Sequence, residues 1–197
     1  IYLTQFPEPF QETAIRKLKS EFELAGPDFV GKKLFQPHSE KKTEIVTVAT
    51  HAADVNSVST LRTKDGRQVI VSGGMDGALK VSVQKPDGTF DVQSIVAHLG
   101  PVNAVQAAED DNGKLFIVTG GEKSLRIWHE DENGTIQLTS TPIPKDFVTS
   151  VSLVKNPNGS FSIVSGDRNG MVDIWNKAAD GKYKKGKGIY GEQHKEI

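Results

Sequence analysis

The sequence predicts an all-β protein of about three four-stranded antiparallel sheets in tandem, preceded by a short N-terminal helical segment. Three observations predict it. Six Asx-Gly pairs form two interleaved ladders: Asp65-Gly66, Asn112-Gly113 and Asn158-Gly159, then Asp87-Gly88, Asn133-Gly134 and Asp180-Gly181. Within each ladder the glycines stand 46 or 47 positions apart. Between these pairs lie short runs of alternating Val, Ile and Leu, and the runs recur at the same offsets. Asx-Gly between apolar runs is the strongest short-range hairpin signal, because tight hairpin turns need φ > 0, which Gly and Asn tolerate. Two such turns per repeat mean a stack of similar four-stranded units.

The elements follow in order. Residues 1–28 differ from the rest: Pro7 and Pro9 precede Gln11–Leu24, where Ile15, Leu18 and Phe22 stand at helical spacing, and Ala25-Gly26-Pro27 supplies a stop. Its apolar face is read as packing on the protein's own body, with a docking helix as the sharper alternative. The first strands of the repeats are Val55-Asn56-Ser57-Val58, Val102-Asn103-Ala104-Val105 and Val148-Thr149-Ser150-Val151. The second are Val71-Ser72-Gly73, Val118-Thr119-Gly120 and Val164-Ser165-Gly166. The third are Leu79–Ser82, Leu125–Trp128 and Val172–Trp175. The fourth lie around Val92–Val96, Ile136–Ser140 and Tyr183–Lys187. Each unit is a meander whose apolar positions bury between neighbouring sheets.

These landmarks resemble the WD40 repeat over about residues 45–183: a His before a Val-x-x-Val strand, a Ser-Gly strand end, an Asp-bearing turn and an Ile-Trp strand. The resemblance implies a partial WD40-type β-propeller with blades at 51–97, 98–143 and 144–190. It further implies a degenerate partial blade within 29–50 and the start of another, or a tail, at 191–197. It also implies a blade-locking tetrad of His, Ser or Thr, turn Asp and Trp. Repeat one offers His51, Ser72 and Asp76, with Ser82 in place of Trp. Repeat two offers His98, Thr119 and Trp128, with Glu122 near the Asp position and a turn one residue shorter. Repeat three offers Ser165 and Trp175, with Asn169 for Asp and Pro144 for His. No repeat carries the whole tetrad, which implies blades less rigid than the family pattern. Propellers close with roughly four to eight blades, so further blades are expected from a larger parent polypeptide or from another chain, with self-association as one route.

Bulk numbers bound the function classes. With 36% hydrophobic and 25% charged residues and a formal net charge of −1, nothing pulls the chain toward nucleic acid or an anionic membrane. No apolar stretch reaches the length of a membrane span. The absence of cysteine removes disulfides, thiolate metal sites and cysteine nucleophiles. The composition is read as intracellular and cytoplasmic. The sequons at Asn133 and Asn158 sit on hairpin turns and are read as turn chemistry. The Lys182–Lys187 segment is read as a solvated outer strand rather than a phosphate contact.

No catalytic constellation emerges, and neither cofactor nor metal is expected. His51 and His98 occupy the lock position, while His38, His129 and His194 lack zinc-ligand spacing. Asp110-Asp111 and Glu130-Asp131-Glu132 are read as solvated turn charge, and Gly73-Gly74 and Gly120-Gly121 precede no helix, which removes a phosphate loop. The favoured function is a noncatalytic scaffold that binds proteins or peptides. The resemblance places its binding face on Asp54, Met75, Leu99, Pro101, Phe147 and Arg168. The alternatives are an accessory propeller of a larger enzyme, or a small-molecule binder using the central channel. The first strands, small and nonionisable, speak against the channel.

Overall fold

The computed structural model describes residues 46–186. The helix expected at Gln11–Leu24, most of the partial blade at 29–50 and the tail at 191–197 lie outside the described residues. Twelve strands are described. The first sheet holds β1 (Val55–Arg62), β2 (Gln68–Gly74), β3 (Ala78–Gln84) and β4 (Phe90–Val96). The second holds β5 (Ala104–Glu109), β6 (Leu115–Gly121), β7 (Ser124–Glu130) and β8 (Ile136–Ser140). The third holds β9 (Val148–Lys155), β10 (Phe161–Asp167), β11 (Val172–Lys177) and β12 (Tyr183–Lys185). Each sheet is a meander in chain order with antiparallel pairing throughout. These are blades one, two and three.

The Asx-Gly ladders build their hairpins by a division of labour. All six glycines have φ between +77° and +90°. Each donates its N–H to the carbonyl three residues back, and that residue donates to the carbonyl just past the glycine. This is a three-residue hairpin loop, a type I turn closed by a left-handed residue. The Asx partner itself is not left-handed, since Lys123 is the one non-glycine residue with positive φ among the described residues. The Asx side chain acts instead as an acceptor: Asp87 Oδ1 takes the Thr89 amide at 2.9 Å and Asn158 Oδ1 the Ser160 amide at 3.1 Å. Blade two shifts this role two residues earlier. Asp110 Oδ1 accepts the Asn112 and Lys114 amides at 2.9 Å each, and Asp131 Oδ1 accepts those of Asn133 and Thr135 at 2.9 and 3.0 Å. These two carboxylates, read from sequence as solvated charge, are therefore structural parts of their turns.

The core lies between blades, as period-two alternation requires. Every residue of β6 is buried. Leu115 and Ile117 join Val69, Val71, Leu79, Val81 and Trp128 in the seam between blades one and two. Phe116 and Val118 join Val148, Phe161, Ile163, Trp175 and Tyr183 in the seam between blades two and three. Burying one such side chain contributes roughly 1.5–3 kcal/mol, so the seams hold the array together. Polar ties complete them. Ser57 and Ser59 accept the otherwise free edge amides of Val105 and Ala107 at 3.0 and 3.1 Å. Asn56 and Asn103 donate to the carbonyls of Val102 and Val148 at 3.1 and 3.0 Å. The recurrent Val-Asn pair thus ties each blade to the next.

Candidate functional site

Two sets of side chains converge at one end of the sheets, where β2–β3, β6–β7 and β10–β11 turn and the chain leads into β1, β5 and β9. The first set is internal. In blade one, His51 Nδ1 lies 3.0 Å from Asp76 Oδ1 and its Nε2 lies 2.8 Å from Ser72 Oγ. Asp76 also accepts the amides of Ala52 and Ala78, at 2.9 and 3.1 Å. Burial works to raise the Asp76 pKa, but the bonds from His51 and these amides outweigh it and hold the group at about 2. An ionised Asp76 has no proton to give, so the His51 ring donates to it from Nδ1 while Nε2 faces the Ser72 hydroxyl. The order Asp-His-Ser is that of an activated nucleophile. Here the hydroxyl belongs to a buried residue, 9% exposed, and the arrangement serves to pin the β2–β3 turn.

In blade two, His98 Nε2 lies 2.9 Å from Thr119 Oγ1, and Trp128 Nε1 donates to that same oxygen at 3.1 Å. His98 Nδ1 is met at 2.9 Å by Ser124 Oγ, not by the expected Glu122. The reason is turn length. β6 and β7 are joined by a two-residue loop, Glu122 and Lys123, with Lys123 at φ 46°. That loop carries Glu122 out to solvent and brings Ser124, the first residue of β7, beneath the ring. Burial, with the Arg126 charge second, pushes the His98 pKa down to about 4, so this ring is neutral at pH 7. Sequence reading missed Ser124. The one signal was the shortened turn, which changes the residue that faces the histidine.

Blade three keeps half a lock. Trp175 Nε1 donates to Ser165 Oγ at 2.9 Å. Asn169, expected from sequence among the blade-locking residues, does not reach that pair: its Nδ2 donates to Asp146 Oδ2 at 2.6 Å in the preceding loop. With Pro144 at the histidine position there is no ring for Asn169 to hold, so its amide turns to the nearest carboxylate.

The second set is external. Met75 is 51% exposed and Leu99 fully so, while Asp54 is also exposed and Pro101 half-buried. The backbone beneath them is pinned: the Met75 amide donates to Asp54 O at 2.8 Å and the Val102 amide to Gly74 O at 3.0 Å. Phe147 is half-buried, with the Arg168 guanidinium 4.5 Å from its ring centroid and the Arg168 amide donating to Phe147 O at 3.1 Å. That stack is worth about 0.5–1 kcal/mol where it is exposed. Among the described residues no three His, Asp or Glu side chains converge to hold a metal ion.

No curated protein sequence matches the chain. The family model described as WD domain, G-beta repeat matches residues 42–81, 90–129 and 136–176. The second match runs from β4 through β7 and the third from β8 through β11, so the repeat takes the outer strand of one blade and three strands of the next. These two matches therefore each span a seam between described blades. The three matches cover more than half of the chain, which belongs to the WD40-repeat family.

Proposed function

We propose that this chain is a noncatalytic scaffold that binds protein partners through the loop end of its blades, at Asp54, Met75, Leu99, Pro101, Phe147 and Arg168. WD40 repeats generally mediate protein–protein interaction. The observation that carries the reading for these residues is exposed apolar surface on pinned backbone. Met75 faces solvent from a turn whose amide is bonded to Asp54 O, and Leu99 from a segment held at both ends, where the His98 and Val102 amides donate to Gly77 O and Gly74 O, so a partner meets them with little ordering cost. Arg and aromatic residues such as Arg168 and Phe147 are the types enriched at energetic hot spots. The test replaces Leu99 and Met75, then Phe147 and Arg168, by Ala and compares capture of cellular proteins with the unaltered chain. Loss of the captured species at an unchanged melting temperature supports the reading. Capture indistinguishable from the unaltered chain removes these residues from the site.

A second reading concerns the outer face of blade three. Val154 and Val172 are each 52% exposed, at the positions where blade one holds Leu61 and Leu79 in a seam. We propose that another blade covers this face, from further sequence or from another chain. Light scattering tests the route through another chain: a monodisperse monomer across the accessible concentration range counts against a second copy.

A further inference from the structure

The two seams differ at their outer rim. In the first, Gln93 of β4 bridges to blade two: its Nε2 donates to Gly134 O at 2.7 Å and its Oε1 accepts the Ile136 amide at 3.2 Å. One period on, the corresponding residue is Thr139, too short to cross, and its hydroxyl turns back to Ile127 O at 3.0 Å within its own blade. Beside it the ladder slips between Ile127 and Trp128. The second seam is left open as a recess of about 190 Å³. Its floor is aromatic, with the Phe116 and Phe161 rings stacked at 4.8 Å and Tyr183 tilted 6.0 Å from Phe116. The Tyr183 hydroxyl donates to Phe161 O at 3.1 Å, and burial pushes its pKa up to about 12, so this wall stays neutral. A second, shallower depression shares Thr139 and Tyr183 and continues along β8, past the exposed Leu138.

The lysines of β9, β11 and β12 and of the turn before β12 are not all paired. Lys155, Lys184 and Lys185 are matched by Asp111, Asp180 and Asp173. Asp110 is held by His129 at 2.9 Å and by its own turn amides. Lys177 at the recess and Lys182 at its continuation have no ion-pair partner among the described residues. We propose that this groove docks an extended peptide that sets one apolar side chain on the Phe116–Phe161 floor and places carboxylates beside Lys177 and Lys182. The recess equals roughly six waters at about 30 Å³ each, room for one leucine-sized side chain and not for a helix. Extended peptides dock by main chain along a strand edge with alternate side chains in pockets, and β8 is the outer strand of its blade. This surface is separate from the loop end and does not depend on it.

The test is fluorescence anisotropy on the full chain with a fluorescein-labelled Asp-Asp-Leu-Leu-Asp peptide and its Lys-Lys-Leu-Leu-Lys counterpart. The acidic peptide is expected to bind saturably and about tenfold more tightly than the basic one. Thr139→Gln, which supplies the missing bridge, is expected to weaken it by a similar factor, and Lys177→Glu with Lys182→Glu at exposed positions to reverse the order of the two peptides. Phe147→Ala with Arg168→Ala leaves binding unchanged, which separates this groove from the loop end. Equal binding of the two peptides overturns the proposal, as does absence of binding, or an acidic-peptide affinity that ignores Thr139→Gln and the paired charge reversal. Loss of binding in the Phe147 and Arg168 variant also overturns it.

Discussion

Blades one and two lock the same turn with opposite halves of one device. Blade one keeps the polar half: His51 sits between Ser72 and an ionised Asp76, while buried Ser82 stands where an indole is expected. Blade two keeps the apolar half: Trp128 is 4% exposed and bonded to Thr119, while Ser124 replaces the carboxylate and His98 stays neutral. The difference teaches that the turn can be held by charge-assisted bonds or by packing above a neutral ring. The two solutions respond to different perturbations.

The largest expected effect follows from packing. Trp128 belongs to the seam cluster, so Trp128→Ala removes its burial and leaves a cavity, for a loss of about 4 kcal/mol. The same change at the matching position of blade one, Ser82→Ala, deletes a single hydroxyl and is expected to cost under about 1 kcal/mol. Urea unfolding of the two variants measures the contrast. Equal losses would show that the indole position carries no special weight in blade two.

Acid distinguishes the locks next. His98 has a folded pKa of about 4 against an ordinary value of 6.5. The unfolded chain therefore takes up a proton that the folded chain refuses, and stability falls as pH drops from 6.5 toward 4. At about 1.4 kcal/mol per pH unit the limit is about 3 kcal/mol. Asp76 lies the other way, at about 2 against 3.8. Its contribution is present above pH 3.8 and is lost as pH falls toward 2, so blade one yields only after blade two. Denaturation midpoints at pH 7, 5.5 and 4 read this, and a His98→Gln variant should flatten the upper window. A native-like pH slope in that variant would assign the acid sensitivity elsewhere.

A smaller effect sharpens the comparison by converting one lock into the other. Ser124→Asp places a carboxylate at His98 Nδ1, where it favours the imidazolium. His98 is then expected to titrate closer to its ordinary value, and the acid loss between pH 6.5 and 4 to shrink by about half, some 1–2 kcal/mol. NMR titration of the His98 ring reports the shift directly. An unmoved His98 would mean that the new carboxylate points away, as Glu122 does.

Much of this architecture is legible in the residues. The Asx-Gly pairs and the Val-x-x-Val strands place four strands in each blade, because glycine at φ > 0 and period-two burial are local requirements that residues must meet in place. The locks are legible only where chain length is preserved. His51, Ser72 and Asp76 come together because blade one's turn has the expected span. Ser124 escapes because deleting one residue redirects what faces the ring, and Asn169 misleads because its role depends on a histidine that Pro144 has replaced. The rim recess is less legible still: it arises from what Thr139 cannot reach, one period after Gln93, and a missing bridge leaves no motif.

The shortened turn itself offers the finest test. Lys123 has φ 46° where blades one and three place Gly77 and Gly170, at 73° and 75°. A side chain in this region costs roughly 1–2 kcal/mol, since Cβ approaches the following carbonyl. Glycine relieves that cost but enlarges the freedom of the unfolded chain by about 0.4–1 kcal/mol. The expected balance for Lys123→Gly is a gain of about 0.5 kcal/mol. The reciprocal change in blade one is not symmetrical. A Cβ at Gly77 would lie 2.4 Å from the His98 carbonyl, and that carbonyl already accepts no relief from a flexible side chain because it is backbone. Gly77→Ala should therefore destabilise by more than Lys123→Gly stabilises. If both variants shift the urea midpoint equally in opposite directions, left-handed strain alone governs the turn. A larger loss at Gly77 shows instead that its turn is wedged against the segment that joins β4 to β5, and that blade two's shorter turn has escaped this constraint.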